Sequence, residues 1–129
     1  MREIKFRAWL PHLNEMREVA SIDFTNDTLM TKGDTTLFNF NESFAESFDT
    51  AMLMQYTGLK DHSGCEIFEG DIIEFEGVLF FVSYSGNEAR YKLRTIYRSE
   101  LKNKGVLTGY IASVCKIIGN IHQNSELLK

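Results

Sequence analysis

The sequence predicts a mainly β fold, with α+β as the alternative: an antiparallel, partly open barrel or sandwich with one or two short helices. About eight to ten short strand-like segments follow one another, with turn-forming residues between them. The chain of 129 residues is 43% hydrophobic and 25% charged, which is typical of a globular protein with one core. We therefore expect a single domain spanning residues 1–129.

The first forty residues predict a series of short strands. Residues 4–9 alternate between apolar and polar or bulky side chains, which indicates a strand with one apolar face. Residues 11–14 contain Pro and Asn and predict a turn. Residues 16–24 are again extended, and residues 29–31 and 35–40 are Thr-rich segments that favour β structure.

Residues 41–50 predict a short helix. Ser43 is a suitable N-cap, and Glu46 follows three positions later, as in a capping box. Phe44 and Phe48 are four residues apart, which places both on one side of a helix.

The central part of the chain predicts four strands, at residues 51–57, 65–68, 71–75 and 78–84. Residues 61–64 predict a turn by residue type. Glu69-Gly70-Asp71 also predicts a turn, in which Gly supplies backbone freedom and Asp bonds local N–H groups. Glu76-Gly77 predicts a two-residue hairpin connection. The uninterrupted apolar run that follows it indicates a strand buried on both faces.

The last third is less regular. Residues 91–98 fit both a helical stripe and a strand, and the β-branched and aromatic side chains favour the strand. Residues 106–118 form a mostly apolar stretch that contains Gly109. The tail at residues 121–129 holds two leucines that need a packing partner.

The composition favours a soluble cytoplasmic protein. No apolar run is long enough to cross a bilayer, and residues 1–5 lack the apolar region of a signal peptide. Cys65 and Cys115 have no metal-binding spacing, so we expect two reduced thiols. Cys115 lies in an apolar run and is expected in the core, whereas Cys65 follows a turn and is expected at the surface.

Charge is distributed unevenly along the chain. Residues 42–88 carry a net charge of −9, and residues 90–104 carry +5. The second stretch, which we call the basic strip, contains six bases: Arg90, Lys92, Arg94, Arg98, Lys102 and Lys104. Three interpretations are open: an edge strand protected by charge, a contact with an acidic protein surface, or a track for nucleic-acid phosphates. The acidic sequence pI of 5.4 weighs against the third.

No catalytic constellation is recognisable, so we expect neither an enzyme nor a cofactor or metal. The acidic residues between positions 66 and 76 have no calcium-loop spacing, and they are interpreted as solvated strand edges and a turn. The three histidines are far apart in sequence, and nothing pairs them with a nucleophile.

Three ordered blocks carry a family resemblance: residues 4–9, residues 53–73 and residues 118–128. Together they resemble the YopX family of phage and prophage proteins over nearly the whole chain. The resemblance implies a β-rich fold compatible with self-association, and it supplies no catalytic residues. The motif residues that carry it are Trp9, Tyr56, Thr57, Gly58, Gly70, Asp71, Gly119 and Asn120.

The resemblance implies a phage or prophage accessory protein of unknown biochemical activity in the cytoplasm of a bacterial host cell, and we expect it to act by binding and not by catalysis. Its first expected partner is a second copy of itself, in a homo-oligomer; a host protein is a further candidate, and a membrane is not. The alternative is a nucleic-acid-binding module that uses the basic strip. Trp9 beside Arg7 fits either ligand stacking or core packing. Residues 56–58 with Asn120 fit either a small polar pocket or turn chemistry.

Overall fold

The computed structural model describes residues 2–32, 43–96 and 105–128. The expected mainly β fold is confirmed, since the described strands form two antiparallel sheets and no closed barrel. The strands are β1 Phe6–Leu10, β2 Glu15–Asp23, β3 Thr28–Lys32, β4 Ser43–Ser47, β5 Met52–Lys60, β6 Glu66–Phe68, β7 Asp71–Phe75, β8 Val78–Ser85, β9 Arg90–Thr95 and β10 Lys116–Asn120. An α-helix, α1, spans Gly109–Val114, and a 3₁₀ helix spans Ser125–Leu128.

Backbone contacts divide the chain into two compact units. The N-terminal unit is residues 5–55; the C-terminal unit is residue 56 onward together with the residues before Lys5. The expectation of one domain stays a prediction. None of the described helices is long and apolar enough to cross a membrane.

The N-terminal unit is an antiparallel sheet with the strand order β4-β3-β2-β1-β5. Alternation turns every second side chain of a strand toward the same face, and a small buried cluster lies on one face of this sheet. Ala8, Leu10 and Leu29 are buried there, and five partly buried side chains pack against them: Val19, Ile22, Phe48, Ala51 and Leu53.

The predicted helix at residues 41–50 is wrong. Residues 43–47 form strand β4, which pairs with β3 from Lys32 opposite Ser43 to Thr28 opposite Ser47. The Phe48 N–H group continues this attachment by donating to the Asp27 carbonyl, at 3.0 Å. Pairing with a neighbouring strand therefore overrides a helical spacing that is only a few residues long.

The C-terminal unit contains a four-stranded sheet with the order β10-β7-β8-β9 and the pairing of β5 with β6. Helix α1 packs on one face of the four-stranded sheet through Ala112, with Cys115 directly after it. The buried cluster between them is Ile67, Ile73, Phe80, Val82, Leu93, Leu107, Ala112 and Cys115.

The predicted β7–β8 hairpin is confirmed. Phe75 pairs with Val78, and the two residues between them have positive φ, 52° for Glu76 and 77° for Gly77. Two positive φ values define the type I′ turn that suits the twist of a hairpin. The expectation that the following strand is buried on both faces is wrong. Phe80 and Val82 are buried, but the other face of β8 is only partly covered, because antiparallel sheets commonly bury one side.

The apolar stretch at residues 106–118 contains both α1 and β10. Thr108 is the N-cap, and its Oγ1 accepts a hydrogen bond from the Ile111 N–H group at 3.2 Å. The Cys115 N–H group closes the other end on the Ile111 carbonyl, at 2.9 Å. The tail leads into the 3₁₀ helix, in which Leu127 is half-buried.

Candidate functional site

Strand β9 places the first three bases of the basic strip on one face. Alternation puts Arg90, Lys92 and Arg94 on that face, whereas Tyr91 and Leu93 point to the core that α1 covers. The predicted strand is thus confirmed as far as Thr95. The strip's other bases lie outside the described residues: Arg98, Lys102 and Lys104.

The described bases of the strip already have partners in the same chain. Glu88 accepts from Arg90 Nη2 at 2.8 Å and forms an ion pair with Lys92 Nζ. These hydrogen bonds, from Lys92 first and Arg90 second, hold the pKa of Glu88 below its ordinary value. Arg94 Nε donates to Ser83 Oγ at 2.8 Å. The strip therefore offers less unbalanced charge than the count of its bases implies.

Two tyrosines form a pair on the opposite face. Tyr84 lies directly across from Tyr91, and their rings meet edge to face with centroids 5.4 Å apart. Burial raises the pKa of Tyr91, and the charge of Glu69 adds to this. A nucleic-acid strand following the bases of β9 would not reach these rings, because the sheet lies between them.

The outer edge of β9 is not an open edge from Tyr91 to Leu93. The Leu93 N–H group donates to the Gly105 carbonyl at 2.9 Å, and the Leu107 N–H group donates to the Tyr91 carbonyl at 3.0 Å. Lys92 and Val106 form the antiparallel bridge between these two bonds. Residues 105–107 therefore cover part of β9, which remains the last strand of the four-stranded sheet.

The motif residues Gly70 and Asp71 organise the predicted turn between β6 and β7. Asp71 Oδ2 accepts a hydrogen bond from the Phe68 N–H group at 2.8 Å. Gly70 has a φ of 85°, a region that glycine enters without steric cost. The Gly70 N–H group donates to the Val82 carbonyl, and its own carbonyl accepts from the Ile121 N–H group. The turn thus ties β8 to the segment after β10.

The motif residues Tyr56, Thr57 and Gly58 shape an irregularity in β5. Thr57 Oγ1 donates to the Ile67 carbonyl at 2.8 Å and accepts from the Leu59 N–H group at 3.2 Å. Gly58 has a φ of 89°, at the point where the β5–β6 register shifts. The ring of the buried Tyr56 packs on Phe68. These contacts support the turn-chemistry interpretation of residues 56–58.

Gly119 and Asn120 form a clasp with Asn124 after β10. Asn124 Oδ1 accepts from the Asn120 N–H group at 3.0 Å, and the Asn124 N–H group donates to the Asn120 carbonyl at 2.9 Å. Asn120 Oδ1 accepts hydrogen bonds from the backbone N–H groups of His122 and Gln123. A Cβ atom on Gly119 would lie 2.4 Å from Asn124 Oδ1. Any larger residue at this position would therefore displace the Asn124 side chain from its bond with Asn120.

The chain matches the family model described as YopX protein over residues 5–129. It belongs to the YopX family. The crystal structure of protein EF1440 from Enterococcus faecalis is similar to this YopX chain, with a TM-score of 0.68, 29% sequence identity and 100% of each chain covered. No curated protein matches it. The expected family resemblance is confirmed.

Asp61 of this YopX chain is a buried site residue that the sequence showed only as part of a turn. Oδ1 accepts from the N–H groups of Ser63 and Cys65, both at 2.9 Å, and Oδ2 accepts from the Ile117 N–H group at 3.0 Å. Burial raises the pKa of Asp61, but these three donors, Ile117 foremost, outweigh it and hold the pKa below its ordinary value. The carboxylate fastens the turn to β10.

The two cysteines of the YopX chain differ as expected. Cys65 is exposed and Cys115 is buried, and both are free thiols. Burial, with the nearby charge of Asp61, raises the pKa of Cys115 to about 11. A protonated, buried thiol is unreactive, so Cys115 serves as a core side chain.

The remaining polar candidates lie apart in the structure. Within residues 2–32, 43–96 and 105–128, no three His, Cys, Asp or Glu side chains are placed to hold a metal ion. His12 Nε2 lies 3.5 Å from Glu46 Oε1 in the N-terminal unit. Trp9 is buried opposite Met16 and Met52 in the neighbouring strands, which favours the packing interpretation of that residue.

Proposed function

We propose that this YopX protein is a phage- or prophage-encoded accessory protein that acts by binding protein, first a second copy of itself, and not by catalysis. One observation carries the proposal. The buried polar side chains of the C-terminal unit, Asp61, Asp71 and Asn120, accept hydrogen bonds from backbone N–H groups of their own turns. Polar groups that are hydrogen-bonded to the backbone in this way stabilise local structure, and they do not point toward a substrate site.

The alternative proposal is nucleic-acid binding through the basic strip. It is favoured by the common face of Arg90, Lys92 and Arg94 on β9, because a row of bases can follow a phosphate backbone. Two observations rank it second. Glu88 already pairs with two of these bases, and the tyrosine pair lies on the opposite face.

The mass of the protein in solution separates the two proposals. Light scattering is measured at low and high salt, with and without short single- and double-stranded DNA. Self-association predicts a defined multimer whose mass DNA does not change. It also predicts that the multimer persists at high salt, because the described bases of the strip are paired within the chain. A monomer that gains mass on DNA only at low salt would contradict this and establish the alternative.

A further inference from the structure

Helix α1 has an apolar outer face as well as an apolar inner face. Ile111 and Ala112 pack toward the core of the C-terminal unit. Tyr110 and Val114 lie on the other side, four residues apart, and are 71% and 47% exposed. Single exposed apolar residues are ordinary, but two on one side of a short helix form a contiguous patch. Tyr is also among the residues that contribute most to protein interfaces.

The residues of α1 and those next to it carry no charge. No charged residue occurs from Gly105 to Cys115. Ser113 is exposed, but its hydroxyl donates to the Tyr110 carbonyl at 2.7 Å, so its proton is already bonded within the helix when the face is covered. Charge depletion around an aromatic side chain is the composition found at the centre of interfaces.

Two strand edges of the C-terminal unit are partly occupied by bonds within the chain. The outward N–H groups of Ile117 and Asn120 on β10 are bonded to the side chains of Asp61 and Asn124. At the opposite edge, residues 105–107 cover β9 from Tyr91 to Leu93. Addition of a strand from another chain needs free backbone groups at an edge, so contact through the helix face is the favoured route.

We propose that the outer face of α1, centred on Tyr110 and Val114, is the surface on which a second copy of this chain docks, through the same face of its own α1. The inference rests on the proposed self-association and names its surface. The charge pattern selects the occupant. In a two-fold contact each residue near the axis meets its own counterpart, so a charged helix would repel its copy, whereas no residue of α1 is charged.

The test compares Val114→Glu with Leu13→Glu by light scattering over a range of protein concentrations. Leu13 is the matched control, since it is 44% exposed, lies in the β1–β2 turn and receives the same new charge. Circular dichroism and thermal melting establish that both variants fold. We expect the wild type and Leu13→Glu to have the same multimeric mass. Val114→Glu is expected to remain a smaller species even at protein concentrations at least tenfold above those at which the wild type is multimeric. Tyr110→Glu is expected to behave like Val114→Glu.

Mixing provides a second readout that misfolding cannot imitate. Val114→Glu and Val114→Lys are each expected to dissociate alone and to regain the wild-type mass when mixed at low salt. A wild-type monomer would overturn the proposed function itself. A wild-type multimer whose mass is unchanged in both Val114→Glu and Tyr110→Glu would overturn the α1 assignment alone. Equal loss of mass in Leu13→Glu would also overturn it, by tracing the effect to added charge.

Discussion

Asp61 satisfies three backbone N–H groups with one carboxylate. A buried donor that loses its acceptor costs about 1–3 kcal/mol, so the side chain matters far more than its exposed neighbours His62 and Ser63. The negative charge strengthens all three bonds. The lowered pKa of Asp61 results from bonds that hold the fold together.

We expect Asp61→Asn to lower the free energy of unfolding by about 2 kcal/mol at pH 7. An amide can accept through only one of its two atoms, so the Ile117 N–H group would face another donor. The measurement is urea denaturation as a function of pH. Because the folded-state pKa of Asp61 is lowered, its contribution is present above the unfolded-state value of about 3.9. It is lost as the pH falls through the folded-state pKa, so the gap between variant and wild type narrows below about pH 4.

The control for this experiment is Asp49→Asn, which removes the same charge at an exposed position. We expect it to change the stability by less than about 0.5 kcal/mol. Equal effects of the two substitutions would contradict the role assigned to the three bonds.

Thiol labelling at pH 8 is expected to modify one cysteine in the native protein and two after denaturation. Cys65 is exposed, whereas Cys115 is buried with its pKa raised to about 11, so the reagent reaches only Cys65 in the native protein. Cys65→Ser should abolish native labelling, and Cys115→Ala should leave it at one. Rapid native labelling of two thiols would disprove the burial of Cys115.

Among the elements, the segment from β10 to the 3₁₀ helix depends on the glycine at position 119. We expect Gly119→Ala to lower the free energy of unfolding by about 1–3 kcal/mol, because its Cβ atom and Asn124 Oδ1 would compete for one space. Gly86→Ala is the control, since its Cβ atom would meet nothing within 4 Å. The measurement is chemical denaturation of both variants.

A double-mutant cycle then tests the clasp itself. In an Asn124→Gly background the competing side chain is gone, so Gly119→Ala should cost much less than in the wild type. Additive effects of the two substitutions would show that Gly119 is needed for another reason.

The elements that the sequence predicted correctly are those with local chemistry. Glu76-Gly77 gives a hairpin and Glu69–Asp71 gives a turn because each depends on residues within a few positions of one another. Strand β4 was mistaken for a helix because its assignment depends on β3. The hydrogen bond from Ile117 to Asp61 could not be predicted for the same reason, since the two residues are 56 positions apart in the chain.

Helix α1 escaped prediction for a different reason. Its inner residues Ile111 and Ala112 are apolar, and so are its outer residues Tyr110 and Val114. Helices are recognised in a sequence by contrast between two faces, and this helix has none. Only Thr108, a favourable N-cap, marked its start.

At the scale of the whole molecule, the uneven charge distribution suggests that opposite charges drive self-association. The described contacts argue against this explanation. We expect Lys92→Glu with Arg94→Glu to leave the multimeric mass unchanged at low and high salt, because Lys92 already pairs with Glu88 and Arg94 bonds Ser83. Light scattering measures the mass. Lys60→Glu with Lys116→Glu is the control for an equal change of charge away from β9.

A fall in mass that only the β9 variant shows would instead make the basic strip an assembly contact. If wild-type DNA binding is found, the same variant should abolish it while the control retains it. The prediction therefore separates the three interpretations of the strip with one pair of variants.

The bond from Asp61 to Ile117 also bears on how the protein is made. During synthesis, β7 and β8 leave the ribosome well before β10. One edge of β7 therefore stays unpaired while about forty further residues are translated, at roughly 5–20 residues per second. Over those seconds Asp61 lacks its third donor, and β7 exposes backbone groups to any nearby strand. The nascent chain is thus open to wrong partners at an edge that the finished protein keeps closed.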